Sequence, residues 1–140
     1  LWTPAIADSA YHVFFATPGS DREAPFALLD HDEVNGFGPE RITVLQPASG
    51  TYTVAVLHWC DAIGNNTLSR SGAAISVLKP NGSIVTFDVP QVDDQPFWWW
   101  TVCTIDGTTG EVTPVGTITA DPPLPSPDCG GARALKPRSR

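Results

Sequence analysis

A chain of 140 residues, 41% hydrophobic and 16% charged, is one domain's worth: it can bury a core, but Thr, Ser, Asn and Gly must cover much of its surface. No run of about 18 apolar residues occurs, so no membrane-spanning helix is expected. The net charge of −7 is uneven: residues 1–132 hold four bases against fifteen acids, while Arg133, Lys136, Arg138 and Arg140 make the tail +4. A body of net −11 argues against nucleic acid as a partner, because phosphate binding needs the opposite sign.

Fourteen prolines and twelve glycines predict many turns and few long helices. In chain order, short runs rich in Val, Ile, Thr and aromatics predict strands at 9–17, 26–30, 41–46, 51–60, 73–79, 83–89, 97–105 and 111–119. The clearest is Thr51-Tyr-Thr-Val-Ala-Val-Leu-His-Trp59, in which Tyr52, Val54 and Val56 share one face. Lys79-Pro-Asn-Gly-Ser83 and Asp106-Gly-Thr-Thr-Gly110 read as hairpin turns. No window of ten or more residues carries a helical stripe. The expected fold is all-β, an antiparallel β-sandwich or jelly-roll of about eight strands over residues 1–120. Residues 121–140 form a second region: Asp121-Pro-Pro-Leu-Pro-Ser-Pro-Asp128 should be an extended polyproline-like strap, followed by Cys129 and the basic tail.

The cysteines are Cys60, Cys103 and Cys129, with no metal-site spacing. A Cys60–Cys103 disulfide tying two core strands is the favoured pairing, leaving Cys129 free or linked to a partner. The competing pairing joins Cys60 or Cys103 to Cys129 and pins the strap to the body. Two N-x-S/T sequons, at Asn65 and Asn81, fall in segments read as loops and point to glycosylation in an oxidising, extracellular compartment. The chain contains no methionine and opens on no signal-peptide pattern, which reads as a processed product or a piece of something longer.

The most distinctive segment is residues 29–44. Asp30, Asp32 and Asn35 offer hard oxygen ligands on a turn, as Ca²⁺ requires, and calcium is the one cofactor this pattern raises. The spacing is not that of an EF-hand, and the plain reading is a solvated acidic loop whose Asp and Asn residues cap turns. His31, between the two acids, could join such a site or stay solvated.

This segment fits the pattern L-D-x-D-x-x-x-G-F-G-P-E-x-I-T, and it is followed by Gly50-Thr-Tyr-Thr-Val-Ala-Val56 and by the 99–107 run ending Ile105-Asp-Gly107. In this order, over residues 10–118, the motifs resemble the YfaP-like β-sandwich domains of secreted and cell-surface proteins. The resemblance implies an accessory domain with no established catalytic role. The first strand departs from the family's D-L-D-L-H-type run, retaining only Asp8 and His12, and Cys103 stands where the family tends to have a bulky apolar residue. Separately, Pro122-Pro-Leu-Pro-Ser-Pro127 resembles the proline-serine stretches of hydroxyproline-rich extracellular glycoproteins of plants and green algae.

Phe97-Trp-Trp-Trp100 raises a carbohydrate platform, with Trp59, Trp98 and Trp100 as the binding or interface aromatics. Strand alternation makes at least one of the run a packing residue, and exposed tryptophans would equally suit a subunit contact. The histidines His12, His31 and His58 form no catalytic set, no G-x-S-x-G elbow is present, and paired acids (Asp30 with Asp32, Asp93 with Asp94) are ordinary in acidic β proteins. The expectation is a non-enzymatic structural or assembly module of an extracellular glycoprotein, a subunit of a surface filament or coat. Self-association or another extracellular protein would be its partner, with Arg133, Lys136, Arg138 and Arg140 as an assembly tail. The alternative is a carbohydrate-binding module, with glycans as ligands.

Overall fold

A computed structural model describes residues 1–33, 38–58, 67–92 and 99–124. The elements are β1 (Gly19–Ser20), β2 (Ala27–His31), β3 (Arg41–Val44), β4 (Thr51–Leu57), the single helical turn α1 (Thr67–Arg70), β5 (Ala74–Leu78), β6 (Ile84–Asp88), β7 (Trp99–Asp106) and β8 (Val112–Thr119). Every strand pair is antiparallel, in the orders β1-β2-β3, β4-β7-β8 and β5-β6. The fold is all-β, as the patterning predicts. Seven of the eight expected runs overlap one of these strands.

The exception is the run 9–17. It contains no strand, because two tight turns interrupt it. Ile6 and Ser9 exchange backbone hydrogen bonds of 2.8 and 3.2 Å, and Phe14 and Thr17 exchange bonds of 3.1 and 3.0 Å. Ala7 and Asp8 carry the first turn at φ 48° and 67°. Between these turns, residues 11–13 run beside residues 1–3, and that pairing is what the sequence conceals. Val13 N–H donates to the Leu1 carbonyl at 2.8 Å and Thr3 N–H to the Tyr11 carbonyl at 2.9 Å. On its other side, Trp2 exchanges bonds of 2.9 and 3.0 Å with Thr53 of β4. The β4-β7-β8 sheet is thereby widened by two short lanes, and β4 becomes an interior strand.

One face of this widened sheet meets the two smaller sheets. Leu1, Val13 and Tyr52 pack with Ala27 of β2, joined by Leu29 and Val44. Trp100, Val102 and Cys103 of β7 pack with Leu68 of α1 and Val89, joined by Ile75, Val77 and Phe87 of β5 and β6. Val54 and Ile105 touch both clusters, so the interior is continuous, as in a two-layer sandwich. β7 is buried on both faces from Trp99 to Cys103, the environment of a central strand.

One corner of the core is held by Tyr52. Its hydroxyl accepts the Ala48 N–H at 2.8 Å, fixing the chain that leads into β4. Gly107, after β7, donates its N–H to the Gly50 carbonyl at 2.8 Å and lies against the same corner. A Cβ at Gly107 would stand 1.9 Å from the Ala48 carbonyl oxygen and 2.8 Å from Tyr52 Cε2. Backbone cannot yield as a flexible side chain can, so Gly107→Ala is expected to destabilise the domain by about 3 kcal/mol. A lower urea midpoint with an unchanged m-value is the check.

Candidate functional site

The acidic loop forms a cleft of about 420 Å³ lined by Asp30, His31, Pro39, Glu40 and Arg41. β2 supplies Asp30 and His31 and β3 supplies Arg41; the register shift between Leu29 and His31 sets His31 opposite Arg41. Asp30 Oδ2 accepts from the Thr43 hydroxyl at 2.6 Å and from Arg41 Nε at 2.9 Å. These contacts, the Thr43 hydroxyl foremost, hold the Asp30 carboxyl below the usual carboxylate range. His31 Nε2 lies 3.7 Å from Glu33 Oε2. Glu40 is shifted upward, first by burial and then by the negative charge of Asp32, with His31 opposing.

This geometry bears on the calcium reading. One oxygen of Asp30 is already bonded to an arginine and a hydroxyl across the β2–β3 ladder, so the residue works as a strand clamp. Among the described residues no group of three His, Cys, Asp or Glu side chains converges on a point where a cation could sit. Asp32 is exposed, and Asn35 lies outside the described residues.

The tryptophan platform requires a correction. Trp100 is 1% exposed, inside the core with Val102 and Cys103, and Trp99 on the opposite face is also buried. The cause is what covers each face of β7: Leu68, Val89 and the half-buried residues of β5 and β6 pack with Trp100, and Trp2 lies against Trp99. Trp100 therefore offers no face to a sugar or a partner. Trp59 and Trp98 lie outside the described residues, as do Cys60, Asn65, Cys129, Arg133, Lys136, Arg138 and Arg140. Asn81 lies in the exposed turn between β5 and β6.

Cys103 is a free, fully buried thiol in this structure, and Cys60, the partner favoured by the sequence, lies outside the described residues. β7 places it between Val54 of β4 and Pro114 of β8, and burial pushes its pKa up to about 11. The thiolate is the reactive form, so Cys103 is expected to resist alkylation at pH 8 in the folded protein and to react once the chain is unfolded. Counting labelled thiols by mass before and after denaturation, with no reductant present, checks both the burial and the free state.

The sequence reading missed an aromatic column on the outer face of the widened sheet. His12 stacks on Trp2 with centroids 4.0 Å apart and on Phe14 at 4.3 Å. Trp2 in turn meets Trp99 at 5.5 Å, and Phe14 meets Phe15 edge-on at 5.2 Å. The alternation of His12 and Phe14 against Val13 was visible in the sequence. Their partner Trp2, in a segment with no strand signal of its own, was not.

Burial first, and the Leu1 amino group second, lower the His12 pKa from 6.5 to about 4. The unfolded chain takes up this proton near pH 6.5 and the folded protein only near 4, so the unfolded state binds more protons in between. Stability is expected to fall as pH drops through that window and to have lost this contribution below it. In His12→Phe the decline should be shallower, as thermal unfolding followed from pH 7 to pH 4 will show.

No family model, curated protein or solved structure matches the chain. The likeness to YfaP-like domains therefore stands on the residues quoted for it.

Proposed function

We propose that this chain is a non-catalytic structural module of an extracellular protein, a subunit of a surface filament or coat that associates with its neighbours through its acidic body and basic tail. The observation that carries this reading is that the best-placed acids are committed to architecture. Asp30 clamps β2 to β3, and Asp106 accepts the Thr108 and Thr109 N–H groups at 2.8 and 2.7 Å to hold the β7–β8 turn. No group of three or more His, Cys, Asp or Glu side chains that could hold a cation accompanies them among the described residues.

What remains is a field. Residues 1–132 carry a net −11 and the following eight residues a net +4, so a neighbour's tail is attracted to each body. The extracellular placement rests on the sequons at Asn65 and Asn81 and on the proline-serine stretch at 122–127. The YfaP-like motifs agree with an accessory domain.

Light scattering on the full chain should give a mass above that of the monomer at low salt. That mass should fall in about 1 M salt, where the Debye length is about 3 Å. Truncation after Leu124 should produce the monomer at any salt. A full chain that is monomeric at low salt, and unchanged in association by the truncation, would refute the proposal.

A further inference from the structure

The tip of the β5–β6 hairpin carries an apolar pair that its own pattern does not explain. Along both strands Ile75, Val77, Val85 and Phe87 are half-buried, while Ser76 and Thr86 face outward and hydrogen-bond to each other at 3.0 Å. The next outward pair should be polar as well. Instead it is Leu78 opposite Ile84, 69% and 62% exposed, the two most exposed large hydrophobic residues among those described. Cross-strand apolar residues left this open mark a surface that something covers.

The connection between them is the sequon Asn81-Gly82-Ser83. Lys79 N–H donates to the Ser83 carbonyl and Gly82 N–H to the Lys79 carbonyl, each at 2.9 Å, closing a tight turn in which Gly82 takes φ +84°. All three sequon residues are exposed. Asn81 Oδ1 accepts from the Ser83 N–H at 3.0 Å and from the Ser83 hydroxyl at 2.7 Å. The carboxamide is thus fixed through its oxygen, and Nδ2 is its remaining group. Neither Gly82 nor Ile84 is a proline, so the sequon is chemically open.

We propose that Asn81 carries an N-linked glycan whose first sugar residues lie over Leu78 and Ile84. The proposal rests on the extracellular reading above. The donor is an oligosaccharide carried on a lipid diphosphate. Asn81 Nδ2 loses a proton and bonds to the anomeric carbon, while the bond from that carbon to the diphosphate oxygen breaks and the lipid diphosphate leaves. No electrons are exchanged with an oxidant or reductant. A pyranose ring presents C–H groups on its faces and hydroxyls at its rim, so a ring close to the turn can cover the apolar pair and keep water on its outer side. The glycan then supplies the polar cover that Leu78 and Ile84 lack.

The test uses the full chain secreted from a eukaryotic host, with glycopeptide mapping of Asn81 and a hydrophobic dye as probe of the tip. A glycan at Asn81 is expected, lost in Ser83→Ala and kept in Ser83→Thr. Enzymatic removal of the glycan from the folded protein should raise dye fluorescence severalfold, and the rise should be absent when Leu78→Ser and Ile84→Ser are combined. An unmodified Asn81 on secreted, folded protein overturns the proposal and leaves the extracellular reading standing. A glycan whose removal leaves dye binding unchanged overturns the covering role. Localising the native protein in its source cells tests the extracellular reading separately.

Discussion

The pair of backbone hydrogen bonds between Trp2 and Thr53 decides what both faces of the main sheet become. Two such bonds contribute only about 1–3 kcal/mol net. Their consequence is larger, because they fix two side chains at once. Leu1 turns inward beside Val13 and Tyr52, while Trp2 turns outward against Trp99 and His12. Burying a tryptophan removes some 150–250 Å² from water, worth about 5 kcal/mol. That exceeds the cost of about 1–3 kcal/mol for its indole N–H, which has no hydrogen-bond partner among the described residues. Hydrophobic burial dominates here, and the hydrogen bonds supply the register that makes it possible.

The electrostatics follow from the same architecture. A sheet protein with so few bases cannot neutralise its acids pairwise. It uses some of them as acceptors for its own turns and ladders and leaves the rest to water. Asp30 and Asp106 are both held below the usual carboxylate range, Asp30 chiefly by a side-chain hydroxyl and Asp106 by backbone N–H groups. A carboxylate stabilised in this way is a poor proton acceptor near neutral pH, since general-base work favours a pKa near the operating pH. The local chemistry that makes these acids useful to the fold also lowers their basicity.

How far the sequence discloses this structure can be judged residue by residue. The strands around Val54, Ile75, Phe87 and Ile118 were legible because period-two alternation and flanking turn residues reinforce one another. Residues 9–17 read as one strand because the alternation continues through the Phe14–Thr17 turn, and the turn before it bends at positive φ at Ala7 and Asp8, where the sequence holds neither glycine nor asparagine. Trp100 was ambiguous because alternation assigns a face but cannot say whether a second layer covers it. The acidic loop displayed its oxygens but not their partners. That Thr43 and Arg41 claim Asp30 depends on a β-bulge between Leu29 and His31, which no local motif announces.

Sheet edges are where such a fold must choose between solubility and association, and this molecule treats its edges differently. β8 carries Pro114, which lacks an N–H, and Gly116 at φ +66°, and its ladder with β7 shifts register between Thr101 and Cys103. These features spoil a template for further strands. The β5–β6 hairpin has neither a proline nor a bulge within its strands and ends in Leu78 and Ile84. A bare tip of that kind would invite indiscriminate contact between copies. A covalent polar cover at Asn81 would suppress that contact without altering the strands. Association would then be left to the long-range attraction between tail and body, which is reversible by salt and selects no strand edge. The two proposals thus assign complementary tasks, one silencing a short-range contact and the other supplying a long-range one.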